Sequence, residues 1–212
     1  MNATNRPVPP HGWRWENGIG YLPPKRSFPY DNAYWEKYRQ MAYTPQGQTL
    51  LDLRCKMLER WIFDPSHVKL VDVGIGGGIF VETLRERGWN AFGTDINPVA
   101  LEWLARHGWS WQMGEEVDIL TFWDSLEHFP DPAKWIVQAD PKWIFISMPI
   151  YLNETHCLTS KHFKPDEHIW YFTEDGLVAF MEAIHFYCLE VNDHETTLGG
   201  RDNIKSFVFR RP

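Results

Sequence analysis

From Val71 to Phe80 the chain reads Val71-Asp72-Val73-Gly74-Ile75-Gly76-Gly77-Gly78-Ile79-Phe80, a short apolar run that breaks into glycines and resumes as an apolar helix pattern. Where a parallel strand turns into a helix, glycines let the backbone turn sharply and let a ligand approach without a Cβ in the way. The helix N-terminus then presents free N–H groups to an anion. Asp95 follows the next apolar run, 91–94. A carboxylate there can accept hydrogen bonds from both hydroxyls of a ribose. Glycines alone read equally well as a turn without a ligand, but the conjunction with Asp95 points to a nucleoside site.

Spacing then discriminates between nucleosides. A dinucleotide fingerprint G-x-G-x-x-G begun at Gly74 requires glycine at 79, where the chain has Ile79, whereas Asp72-x-Gly74-x-Gly76-x-Gly78 is complete. On this motif and Asp95, the stretch from about Val68 to Arg210 resembles the class I S-adenosylmethionine-dependent methyltransferases, nearest in impression to small single-domain forms of phage or prophage type. The resemblance implies that Asp72, Gly74, Gly76 and Gly78 surround the methionine part of S-adenosyl-L-methionine and that Asp95 holds its ribose.

A second stretch, Phe122-Trp123-Asp124-Ser125-Leu126-Glu127-His128-Phe129-Pro130-Asp131-Pro132, resembles the L-E-H motif of the family's small-molecule and natural-product branch. It implies Asp124 and Ser125 beside the cofactor. Glu127 and His128 either face the methyl group or brace the loop, or form a structural pair capping the next helix. Adenine contacts in the family come from the end of strand three, here the weakly marked stretch 109–113 before Glu115 and Glu116. No Pro-Pro-aromatic tetrapeptide follows strand four and no Pro-Cys pair exists, which argues against ordinary DNA base methylation.

Further along, 156–171 carries His156, His162, His168, Lys161, Lys164 and Asp166 after the fifth strand, where an open α/β sheet places its ligand crevice. His162 or His168 can take a proton from an acceptor hydroxyl or amine, or simply tie the loop to itself. The catalytic candidates are therefore His128, His162 and His168. His162, Asp166 and His168 also offer metal ligands, but their spacing matches no strong template and no metal is expected.

These residues need strands and helices in alternation to position them. Apolar patterning places strands at 69–73, 91–94, 117–122 and 143–148, with helices at 79–87, from Asn97-Pro98 to 107, and from Asp131-Pro132 to 138. Thr173 caps a further helix, and 186–192 with 204–210 read as an antiparallel pair joined through Gly199 and Gly200. Two helices precede the core, one over 32–42 and one opened by Thr44-Pro45, behind a Pro- and Trp-containing extended arm over 1–30. The expected fold is α/β: a doubly wound Rossmann-like sandwich, mostly parallel with an antiparallel last strand. Residues 1–65 form the arm and covering helices, and 66–212 the cofactor-binding catalytic domain.

Composition narrows the class. With 212 residues, 21 Lys and Arg, 28 Asp and Glu and a net charge of −7, the chain is no uniformly basic nucleic-acid coat, and non-specific nucleic-acid binding is not expected. Hydrophobic residues at 43% and charged residues at 23% suit a globular core. The lack of a long apolar run or a secretory pattern, together with three scattered cysteines, suggests a cytoplasmic protein. Twelve tryptophans exceed what the core requires, so some should face a ligand or partner. The expected activity is methyl transfer from S-adenosyl-L-methionine to O or N of an unidentified acceptor, a small molecule or nucleotide being favoured. A nicotinamide-dependent oxidoreductase and a non-catalytic cofactor-binding module are the alternatives.

Overall fold

The computed structural model describes residues 7–23 and 30–212, and parts of the expected N-terminal arm, 1–6 and 24–29, lie outside them. Within the arm, Arg14–Glu16 (β1) and Ile19–Tyr21 (β2) pair as an antiparallel hairpin, a departure from the irregular stretch expected there. Its cause is the two-residue turn Asn17-Gly18, both left-handed with φ 49° and 77°, whose twist matches that of the flanking strands. Helix α1 (Asn32–Ala42) follows, with the Asp31 side chain accepting from Tyr34 N at 3.0 Å. Thr44 caps α2 (Pro45–Trp61) by accepting from Gly47 N at 3.1 Å. Pro45 occupies the first turn, where no N–H is missed.

The alternating region then builds the main sheet. Strand β3 (Lys69–Val73) leads through the glycine turn into α3 (Ile79–Glu86), followed by β4 (Asn90–Thr94), α4 (Pro98–His107) and β5 (Ile119–Trp123). Next come α5 (Pro132–Ala139) and β6 (Trp143–Pro149). Expected strand three is reduced to a single parallel bridge between Gly93 and Ser110. Trp109, Ser110 and Trp111 offer only two backbone hydrogen bonds to Gly93 before the chain turns at Gly114.

After β6 comes α6 (Glu154–Thr159), capped by Asn153, and the segment ends in β7 (Trp170–Phe172), which pairs with β2 to complete a small antiparallel sheet. Helix α7 (Glu174–Glu182) starts from the Thr173 cap. Strand β8 (Tyr187–Asn192), the short α8 (His194–Thr197) and β9 (Ile204–Arg210) finish the chain. The main sheet runs β4-β3-β5-β6-β9-β8, parallel from β4 to β6 and antiparallel on both sides of β9. Successive side chains point to opposite faces: Leu70, Ile119, Phe145 and Val208 meet one core, while Val71, Leu120, Ile144 and Phe207 meet the other. Each fully buried large apolar side chain contributes roughly 1.5–3 kcal/mol. Two such layers hold the carboxyl ends of β3, β4 and β5 rigidly beside one another, and the candidate site lies there.

Candidate active site

Three left-handed glycines, Gly74, Gly76 and Gly78 at φ 82°, 55° and 76°, carry the chain from β3 into α3. No side chain caps α3, so its first-turn amides face outward without a protein acceptor from a cap. Gly74 also meets Ser125, because a Cβ on it would stand 2.8 Å from Ser125 Cβ, and Ser125 Oγ donates to the Val73 carbonyl at 2.5 Å. Helix α1 lies over the turn. A Cβ at Gly77 would stand 2.5 Å from Arg39 Cα, and Arg39 donates to the Gly77 carbonyl at 3.0 Å while pairing with Glu82 at 3.0 Å.

Asp72 is buried within β3, accepting from Thr121 Oγ1 at 2.7 Å, and burial pushes its carboxyl up to about 7. Asp95 stands at the end of β4 and accepts from Asn97 N at 2.8 Å. Burial raises its carboxyl against hydrogen bonds from the amides of Asn97, Ile96, Gly76 and Ile75, so Asp95 and the glycine turn share one wall. An aromatic ladder crosses this crevice: Tyr30 and Tyr34 have ring centroids 5.0 Å apart, Tyr34 and Tyr38 4.4 Å. Burial pushes the Tyr30 phenol up to about 12, with the carboxylates of Glu167, Asp95 and Glu127 adding to it.

Beyond β5, Asp124 adopts φ 57° and accepts from Arg201 at 2.7 and 2.8 Å, with Arg54 at 3.5 Å. Glu195 completes the network, bonded to Arg54 at 2.7 Å and Arg201 at 2.7 Å. Thus Asp124, predicted beside the cofactor, is already engaged by two guanidinium groups. The turn Leu126–His128 then brings Glu127 and His128 against His168. Ile169 N donates to the Glu127 carbonyl at 2.8 Å and ties the two segments together. Burial, then the Asp124 charge, pushes the Glu127 carboxyl up to about 8. Burial lowers both imidazoles, His168 the more, so both stay neutral near neutral pH. The next helix is capped by Asp131 and not by the Glu127–His128 pair.

His162 stands apart from that group, its Nε2 bonded to the Asp202 carbonyl at 2.8 Å, and Asp166 is exposed. Lys161 pairs with Asp202 and Lys164 with Glu167. Ligand atoms of Glu127, His128 and His168 lie within 4.8 Å of one another, so this group, and not the set His162, Asp166 and His168, has the geometry to hold a metal. Sequence reading missed Arg39, Thr121, Arg54, Glu195 and Arg201. No local pattern reveals them, since Arg201 meets Asp124 across 77 positions and Arg54 meets Glu195 across 141. A cavity of about 410 Å³ lined by Tyr151, His156, Glu174, Asp193, Asn203 and Lys205 contains none of the predicted site residues. No helix among the described residues is long and apolar enough to cross a membrane.

Comparison with known proteins matches residues 35–191 to a family model described as a methyltransferase domain. The chain is 28% identical over 118 residues to the ubiquinone biosynthesis O-methyltransferase of Leptothrix cholodnii, covering 45% of this chain and 50% of that one. Its counterpart in Nitrosomonas europaea is 29% identical over 144 residues, covering 53% and 60%. The chain therefore spans between half and three fifths of these two relatives. Among solved structures, magnesium protoporphyrin IX methyltransferase from Synechocystis PCC 6803 superposes with a TM-score of 0.62 at 15% identity, covering 86% of this chain and 96% of that one.

Proposed function

On the premise that the chain belongs to the methyltransferase-domain family and is an S-adenosylmethionine-dependent methyltransferase, we propose that it methylates a hydroxyl oxygen on a small, ring-bearing acceptor. The observation that carries this reading is the group of buried Glu127 and His168 with half-buried His128, which begins two residues beyond the Ser125 that touches the glycine turn. The naming of both bacterial relatives as O-methyltransferases supports oxygen over nitrogen. The tyrosine ladder on α1 supports a flat acceptor, because offset or edge contacts with rings favour aromatic partners. The oxidoreductase alternative falls with family membership and with Ile79 in the place of a glycine.

The glycine turn fits the cofactor. Its three residues hold left-handed backbone that favours glycine and lead into uncapped helix amides, and Asp95 lies on the same wall. When bound, S-adenosyl-L-methionine supplies an already activated methyl group on a sulfonium. In this reading Asp72, Gly74, Gly76 and Gly78 receive its methionine part, Asp95 takes the ribose hydroxyls, and Asp124 with Ser125 form the floor. In the same reading residues 66–212 carry these groups and helix α1 covers the glycine turn, excluding water and holding donor and acceptor in line. His128 and His168 stand at the acceptor oxygen, where the hydroxyl proton must be lost. His162 holds the loop through Asp202.

The test is incubation of the chain with methyl-labelled S-adenosyl-L-methionine and a panel of catechols, phenols and aryl amines, with products resolved by mass. Labelled methoxy products are expected. Asp95→Ala should weaken S-adenosylhomocysteine by about 2 kcal/mol, close to 30-fold in Kd, for the two ribose hydrogen bonds lost. Label confined to nitrogen would overturn the oxygen assignment, and cofactor binding with no turnover on any acceptor would favour the non-catalytic module.

A further inference from the structure

We propose that Tyr30, braced by Tyr34 and Tyr38, lays its ring against the sulfonium of S-adenosyl-L-methionine and lets the site tell that charged cofactor from uncharged S-adenosylhomocysteine. The inference rests on the methyl-transfer reading and adds to it a residue that senses the cofactor's charge. It starts from the way α1 lies across the crevice. At one end Asn97 Nδ2 donates to the Asp31 carbonyl at 3.1 Å, two residues beyond Asp95. At the other, a Cβ on Gly76 would stand 3.8 Å from Tyr38 Cβ. Seven residues separate Asp31 from Tyr38, about 10 Å of helix, so α1 bridges the ribose wall and the glycine turn. Tyr34 and Tyr38, four residues apart, share the face of α1 that lies along this span, and Tyr30 joins their stack just ahead of the Asp31 cap. Trp35 points elsewhere, buried against Trp103 with ring centroids 5.5 Å apart.

The chemistry of these rings suits a cation. Burial raises the Tyr30 phenol to about 12 and that of Tyr34 further, so both keep their protons at neutral pH and neither serves as a base. The charges that add to the Tyr30 rise are Glu167, then Asp95 and Glu127, which sets Tyr30 between the acceptor loop and the ribose wall, where sulfur and acceptor meet. A neutral ring presents a negative π face, and a cation against it is held more strongly as water is excluded. The tyrosine face of α1 already attracts one cation, since Lys37 Nζ stands 5.3 Å from the Tyr38 ring centroid. Asp124, which the family resemblance puts beside the cofactor, does not supply the same attraction, because Arg201 bonds both its oxygens. Transfer of the methyl group leaves the sulfur an uncharged thioether. The attraction to the ring then ends, and the product is held less tightly than the cofactor.

Calorimetry on the full chain, without acceptor, should give dissociation constants for S-adenosyl-L-methionine and for S-adenosylhomocysteine. The wild type is expected to hold the charged cofactor about 5- to 30-fold more tightly. Tyr30→Phe should keep that ratio because it keeps the ring. Tyr30→Leu should bring the two constants to within about twofold of each other, since leucine still packs a methyl group but offers no π face to its charge. Tyr30→Met replaces the leucine variant should that one fail to fold. Equal affinities in the wild type, a ratio unchanged in folded Tyr30→Leu, or a ratio lost in Tyr30→Phe would each overturn the assignment. In all three cases S-adenosylhomocysteine still binds and the methyl-transfer reading stands, whereas a wild type that binds neither ligand counts against both.

Discussion

Asp72 sits in the middle of a parallel sheet at 2% exposure with one hydrogen-bond donor, Thr121, for a group that prefers several when charged. Burial raises its carboxyl to about 7; the Thr121 bond and the Arg54 charge oppose that rise, and the Asp95 charge adds to it. Alone, then, Asp72 holds its proton through much of the range below neutrality. A cofactor ammonium placed against it would favour the carboxylate, so binding should release a proton. Affinity for S-adenosylhomocysteine should therefore weaken by up to about tenfold for each pH unit below about 7. Calorimetry at several pH values, in buffers of different ionisation heat, measures both the slope and the proton released. Asp72→Asn should bind weakly at pH 8 and lose the slope, and a slope unchanged in that variant would remove Asp72 from the methionine site.

At the scale of elements, the question is what seats α1 on the glycine turn. Gly77 has ordinary backbone angles, so its need for glycine comes from the approach of Arg39 and not from its own conformation. Gly77→Ala should push α1 off the turn, costing about 1–3 kcal/mol in denaturant unfolding and exposing 32–42 to proteases, with the sheet unchanged. Equal stability and protease resistance would show that α1 yields without loss. Local rules did predict α1 and α2, the first from the helical spacing of Tyr34, Trp35, Tyr38 and Met41 and the second from Thr44 and Pro45 ahead of a helical period. The same rules placed β3 to β6 within a residue or two. The hairpin was also legible in Asn17-Gly18 but was masked by the surrounding prolines. The weakly marked stretch 109–113 shrinks to one bridge, and α8 stands between β8 and β9, because tertiary hydrogen bonds, not pattern, decide how far such short segments go. At the site, Asp72, Gly74, Gly76, Gly78 and Asp95 follow from strand-turn-helix spacing. The grouping of Glu127 and His128 with His168 does not, because it depends on a loop returning across 40 positions.

At the scale of the whole molecule, four charges join distant parts of the chain: Arg54 on α2, Asp124 after β5, Glu195 on α8 and Arg201 before β9. Burial works to raise both carboxyls, yet Arg201 and then Arg54 hold Asp124 below its usual range, and Arg54 and then Arg201 do the same for Glu195. Carboxyls depressed on folding add stability that is complete above their unfolded pKa values and is lost as pH falls through the folded ones. Asp72, raised from 3.8 to about 7, acts with the opposite sign: its penalty is absent below about 4 and grows as pH rises toward 7. Asp95 and Glu127, also raised, add to that decline, while the lowered imidazoles of His128, His162 and His168 oppose it up to their unfolded value of 6.5. The free chain should therefore be most stable in mildly acidic solution and weaken on both sides. Denaturant midpoints from pH 3 to 8 test this on three proteins. Wild type should trace a dome, and Asp72→Asn should flatten its alkaline limb. Arg201→Met should lose about 3–5 kcal/mol at the maximum, because it strands two buried carboxylates, and should show a shallower acid limb since their depression is gone. Three parallel curves, offset without change of shape, would mean that neither the buried aspartate nor the four-charge network governs the pH dependence of folding.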